Sequence, residues 1–185
     1  MNKTIISKDT ILSAGKEIII ESGLNSLSIR DVANKCGISI GSVYNYFPSK
    51  SDLIVATIES VWIEIIMDSQ GDIKTDSFLE SISYLFNRIK IGCENYPSFF
   101  SIHSMSAANF DKNKGREVMD IYFKNIKTRL LESLNQDNNV RDGVFNEEFT
   151  KTDFIDFTFY NIITLFMKKA DSCDFLLELV KRIIY

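Results

Sequence analysis

Apolar residues recur at helical spacing along most of the chain. In residues 8–23, Ile11, Leu12, Ala14, Ile18 and Ile19 fall on one stripe, and Gly23 closes the segment. Gly15 interrupts this helix at a cost of roughly 1 kcal/mol relative to alanine, which a close helix–helix approach would explain. Ser28, followed three residues later by Asp31, is a capping box, and Ile29, Val32 and Ala33 give the helix after it one apolar face. Gly37 ends that helix. Ser39 caps a third, short one that turns Val43 and Phe47 inward and stops at Pro48. Ser49 and Asp52 form a second capping box. They open a long helix to about Ser69, in which Leu53, Ile54, Ala56, Thr57, Ile58, Val61, Trp62, Ile65 and Ile66 spread over more than one face. A helix patterned this way is buried by two partners.

Beyond a break at Gln70-Gly71-Asp72 the capping signals are less sharp, but the period persists. It predicts helices over Asp76–Asn95, over a short stretch opening at Pro97 and running to Asn109, over Asp111–Leu134, over Thr152–Lys169 and over Ser172–Ile184, with a polar loop from Asn135 to Phe145. No stretch alternates as a strand would, and there is no internal repeat or low-complexity tract. The expected fold is all-α with about nine helices. Two helices of this shortness, joined by a glycine turn and poor in charge, fit a helix-turn-helix. Residues 1–48 are therefore read as a three-helix DNA-binding head, and 49–185 as a helical body. No Gly/Ser linker separates the two.

The chain has 185 residues, 45% hydrophobic and 25% charged, which suits a globular protein with a sizeable core. Its net charge of −4 runs against a DNA binder, but residues 1–50 carry +2 and the remainder −6. The basic balance thus lies with the helix-turn-helix, and dimerisation would double it. Cys36, Cys93 and Cys173 are odd in number and far apart, so they are read as buried reduced thiols rather than disulfides or zinc ligands. No secretory signal or long uninterrupted apolar run is present, and a cytoplasmic location with no membrane partner is expected. His103 is the single histidine. No nucleophile elbow, phosphate loop or metal-ligand spacing accompanies it, so no catalytic residue, cofactor or metal is expected.

The third helix leaves Ser39, Ile40, Ser42, Tyr44 and Asn45 facing outward or sideways, with Gly41 keeping it slim. Hydroxyls suit phosphate oxygens, an amide suits base edges, and Ile40 suits either a thymine methyl or a contact within the head. The run SIRDVANKCGISIGSVYNYFPSKSDL closely resembles the DNA-binding signature of TetR-type transcriptional regulators, roughly T-x-R-D-I-A-x-x-A-G-V-S-x-G-T-L-Y-x-Y-F-x-S-K-E-E-L. The likeness covers about the first third of the chain and has no gap. It implies that Tyr44 and Tyr46 hold or flank phosphates and that Lys50 binds phosphate at the start of the fourth helix. Ser28 and Arg30 would complete the clamp. Two readings stand for Tyr46, core or phosphate contact, and two for Arg30, phosphate contact or a surface salt bridge with Asp31 or a neighbour.

On the last two helices, Phe154, Phe157, Tyr160, Asn161, Ile162 and Ile163, and then Phe175, Leu176, Leu179, Val180, Ile183 and Ile184, are apolar enough to need a partner. They either close a monomer core or pair with a second copy in a four-helix interface. The resemblance implies the homodimer, whose two heads would meet a palindromic double-stranded operator. It also implies a small-molecule pocket in the body. Trp62, Phe86, Phe100, His103, Tyr122 and Phe159 are the candidate lining, against the alternative that the aromatic residues are ordinary core and His103 a structural or surface histidine. The expected function is a ligand-responsive regulator, a repressor released by a small apolar or aromatic molecule. The rival is a helical carrier or sensor whose head no longer binds DNA specifically.

Overall fold

The computed structural model describes residues 6–66, 77–96 and 112–185, and the side chains of all of these except 66 and 112–119. Eight α-helices and one 3-10 turn stand in these residues, and no strand. The helices are α1 Lys8–Ser22, α2 Ile29–Cys36, α3 Ile40–Tyr44, α4 Lys50–Ile66, α5 Phe78–Asn95, α6 Lys112–Gln136, α7 Lys151–Met167 and α8 Asp174–Ile184. The 3-10 turn, Leu24–Ser26, was not legible in the pattern. The helix expected over 97–109 and the break at 70–72 lie outside the described residues. The chain divides into two compact units, Met1–Glu64 with Cys93–Val118, and Ile65–Gly92 with Met119–Tyr185.

In the first unit the caps do what the sequence asks of them. Ser28 Oγ accepts the Asp31 N–H at 3.2 Å, and its hydroxyl donates to the Asp31 carboxylate. Ser49 and Asp52 repeat the pattern at 3.1 and 2.7 Å. Gly37 ends α2 in the left-handed region, φ 65°, where a side chain would be strained. Ser7 caps α1, accepting the Thr10 N–H at 3.1 Å. Ile11, Ile19, Val32, Val43 and Phe47 are buried together with Leu24, Leu27, Leu53 and Trp62. The close approach inferred from Gly15 is present: a Cβ there would lie 2.9 Å from Thr57 Oγ1 and 3.1 Å from Thr57 Cγ2.

The second unit is cored by Phe78, Ile82, Leu85, Phe86 and Ile89 of α5, Ile126, Leu130 and Leu134 of α6, and the inner stripes of α7 and α8. Phe86 stacks on Phe166 with centroids 4.8 Å apart, and Phe159 meets Phe123 edge-on at 4.9 Å. A Cβ on Gly92 would lie 2.5 Å from Ile65 Cγ1, so α5 passes Ile65 where only hydrogen fits. The reading of all three cysteines as buried is corrected. Cys36 and Cys93 are half-buried, and only Cys173 is buried. The body also has a sharp capping box that the pattern did not reveal: Thr150 accepts the Asp153 N–H at 3.1 Å and donates to its carboxylate at 2.6 Å. At the end of α7, Ala170 N–H reaches back to the Leu165 carbonyl at 2.9 Å, with Lys169 at φ 53°. This is a Schellman stop made without glycine.

Candidate nucleic-acid interface

α3 is only five residues long, and its inward positions are fixed by burial. Val43 is fully buried, and Phe47 nearly so, in the turn beyond the helix. The helical spacing then turns Ile40, Tyr44 and Asn45 outward, and all three are exposed, as are Gly41 and Ser39. Ser42 is half-buried. Ser39 Oγ caps α3, accepting the Ser42 N–H at 3.1 Å, and its hydroxyl lies 2.8 Å from that of Ser42. One hydroxyl of this pair donates to the other, which leaves the second proton for an outside acceptor.

Gly41 is informative because nothing among the described residues requires it. Its Cβ would meet only Ser39 Oγ, at 3.8 Å, which is ordinary contact, and its φ is not in the left-handed region. A bare backbone at the exposed N-terminal end of a helix allows close approach of something from outside.

The cations of this unit separate into two groups. Lys16 pairs with Glu64 at 2.6 Å, and Lys35 with Glu21 at 2.8 Å and Glu17 at 3.1 Å. Hydrogen bonds donated to the Glu21 and Glu17 carboxylates push the Lys35 pKa up. Arg30 and Lys50 are exposed and form no ion pair among the described residues. In particular Arg30 does not pair with Asp31, whose carboxylate takes the Ser28 hydroxyl. The Ser28 hydroxyl proton is therefore committed within the chain.

Tyr46 is not core. It is 40% exposed, and its hydroxyl donates to the Ile6 carbonyl.

Of the candidate pocket residues, Phe100 and His103 lie outside the described residues. Trp62 is buried in the first unit. Phe86 and Phe159 are core rings of the second, and Tyr122 is half-buried there. Among the buried polar groups of the second unit that sequence reasoning missed are Thr158 and Asp137. Thr158 Oγ1 is buried with no hydrogen-bond partner among the described residues. Asp137, 5% exposed, accepts the Phe78 N–H at 2.8 Å, the Asn139 N–H at 2.9 Å and the Tyr185 hydroxyl. Burial pushes its carboxyl up, but the bonds from Tyr185, Phe78 and Asn139 outweigh this and hold it below the ordinary carboxylate range. The signal available was Asp137 with Asn139 two residues on, an Asx-turn pattern. Nothing local to it announces burial.

A short capped helix with an exposed outer face, packed on α2, in a unit where Arg30 and Lys50 are exposed and form no ion pair among the described residues, defines a helix-turn-helix protein. Residues 11–57 match the family model of bacterial regulatory proteins, tetR family. The chain is 37% identical over 68 residues to the uncharacterized HTH-type transcriptional regulator YvdT of Bacillus subtilis, and 40% identical over 52 residues to the HTH-type transcriptional regulator UidR of Escherichia coli. These matches cover 37% and 28% of this chain, and only 35% and 26% of those proteins. The fold is similar to that of the transcriptional regulator FadR from Bacillus subtilis in complex with stearoyl-CoA. The TM-score is 0.66 at 18% identity, over 97% of this chain and 100% of that one. The likeness to the tetR family of regulatory proteins thus lies in residues 11–57, and over the rest of the chain it is a likeness of fold.

Proposed function

We propose that the chain is a ligand-responsive transcriptional repressor that binds a palindromic operator as a homodimer. The observation that carries this reading is the outer face of α3, where no described residue requires a bare Gly41, together with Arg30 and Lys50, which are exposed and form no ion pair among the described residues. Tyr44, Asn45, Ile40 and the Ser39–Ser42 pair would read the major groove, with Arg30 and Lys50 on phosphates. One such head makes few phosphate contacts, so two are needed for tight binding.

The second copy would dock on α7 and α8. Phe157, Tyr160, Thr164 and Met167 form an exposed stripe at heptad spacing on α7, and Phe175 of α8 is 83% exposed. Phe154 and Ile162, by contrast, close the core of the unit itself. A small apolar or aromatic effector entering the body would favour a state in which α4, continuous from Lys50 to Ile66, is displaced and the two heads leave operator spacing. The similarity to a FadR bound to stearoyl-CoA makes acyl compounds the first effectors to try.

The test is binding of the purified protein to DNA selected from a random pool, at two salt concentrations. Sequence-specific, salt-sensitive binding that an effector weakens supports the reading. Failure to select any sequence overturns it in favour of a helical carrier. Release of bound operator by no compound that the body binds would leave the DNA-binding half standing and remove the ligand response.

A further inference from the structure

The first turn of α1 is held to the helix-turn-helix at three points. The Tyr46 hydroxyl donates to the Ile6 carbonyl, the Lys8 ammonium sits 5.7 Å from the centroid of the Phe47 ring, and the Cys36 thiol lies 3.9 Å from the Thr10 carbonyl. These contacts come from the end of α2 and from the turn after α3. Between them they bracket residues 6–10. α3 is too short to fix its own direction: five residues make little more than one turn, anchored inward by Val43 alone. The turn after it, Asn45–Phe47, decides how its outer face is aimed.

We propose that Tyr46 is a positioning residue for DNA recognition. Its hydroxyl gives its proton to the chain before α1 rather than to a phosphate, and so fixes the angle at which α3 is presented. This rests on the reading of the chain as a DNA-binding regulator. It assigns Tyr46 a different role from Tyr44, its neighbour two residues earlier, which is 48% exposed and has no hydrogen bond of this kind among the described residues. The hydroxyl of a tyrosine that already donates has only its lone pairs to offer, and phosphate oxygens accept rather than donate.

The experiment compares Tyr46→Phe with Tyr44→Phe in the full chain. The readouts are amide hydrogen exchange at Thr10 and Ile11, which bond to Ser7 in the first turn of α1, and affinity for the selected operator. Tyr46→Phe is expected to speed exchange at these amides in the free protein about 3- to 10-fold and to weaken operator binding by a similar factor. Tyr44→Phe is expected to weaken binding and leave exchange unchanged. Ser7→Ala loosens the same turn from the other side. Combined with Tyr46→Phe it should cost less than the product of the two single effects, because both act through one element. Unchanged exchange in Tyr46→Phe with weakened operator binding would overturn the proposal and make Tyr46 a direct DNA contact, as would full additivity with Ser7→Ala. Faster exchange with unchanged affinity would overturn it as well. Failure of the regulator reading looks different, since the wild type itself then selects no sequence, whatever the exchange rates of the variants.

Discussion

The hydroxyl of Tyr185 donates to the carboxylate of Asp137, which at the same moment accepts the first backbone N–H of α5, that of Phe78. Arg141 completes the junction, donating from its backbone N–H to the Ile184 carbonyl at 2.9 Å and from its guanidinium to the Ile183 carbonyl at 2.6 Å. The end of α8, the start of α5 and the loop after α6 are thereby joined through one carboxylate.

Because the folded-state pKa of Asp137 is depressed, its contribution is complete above the unfolded carboxylate value of about 4 and is lost as pH falls through the lower folded value. Replacing Asp137 with Asn puts an amide donor opposite groups that already donate. It should cost about 2 kcal/mol at neutral pH, and Tyr185→Phe about 1 kcal/mol. Urea unfolding at pH 7 and pH 3 checks this: the difference between wild type and Asp137→Asn should shrink at the lower pH, and a constant difference would show that the charge is immaterial.

Gly15→Ala gains helix propensity but drives a methyl against Thr57, which is fully buried and held by its own bond to the Leu53 carbonyl at 2.7 Å. Thr57 is β-branched and cannot swing away, so overpacking of about 1–3 kcal/mol should win. Adding Thr57→Ala should recover part of the loss. A thermal-unfolding double-mutant cycle without coupling would refute the contact as the cause.

Gly41→Ala should act in opposite directions on stability and on binding. Nothing in the chain resists the methyl, so α3 gains up to about 1 kcal/mol of propensity. In the proposed complex the same methyl would stand between α3 and the duplex, and operator affinity should fall at least several-fold. A variant that is more stable and binds DNA as well as wild type would mean that α3 does not approach DNA through Gly41.

Lys50→Ala and Arg30→Ala should each lower the slope of log affinity against log salt by about 0.9, the value for one phosphate contact. Lys35→Ala should leave the slope unchanged, because that ammonium is already engaged by Glu17 and Glu21. Titrations of the selected operator at four salt concentrations separate these outcomes.

Phe175→Arg and Tyr160→Arg replace exposed rings, so they should leave each chain folded and shift the protein from dimer to monomer in sedimentation velocity. Retention of the wild-type mass by both would place any self-association elsewhere.

Local signals determined most of the head. The Ser28–Asp31 and Ser49–Asp52 boxes, the Gly37 stop and the inward pair Val43 and Phe47 all act within four residues of themselves, and their geometry follows from the order of residues. That is why the helix-turn-helix and its outer face could be read before any fold was known. Gly15 carried a weaker message: its cost implied a neighbour, and only the fold identified Thr57. The apolar period of α7 gave a helix but not its division into a core stripe with Phe154 and Ile162 and an outer stripe with Phe157 and Tyr160, since both are apolar. Left to the tertiary structure were partnerships across long sequence separations: Tyr46 with Ile6, Lys35 with Glu21, and Asp137 with Phe78 and Tyr185. A side chain's propensity and capping depend on its neighbours in sequence. The fate of its last proton or lone pair depends on what the fold brings beside it, and periodicity holds no record of that.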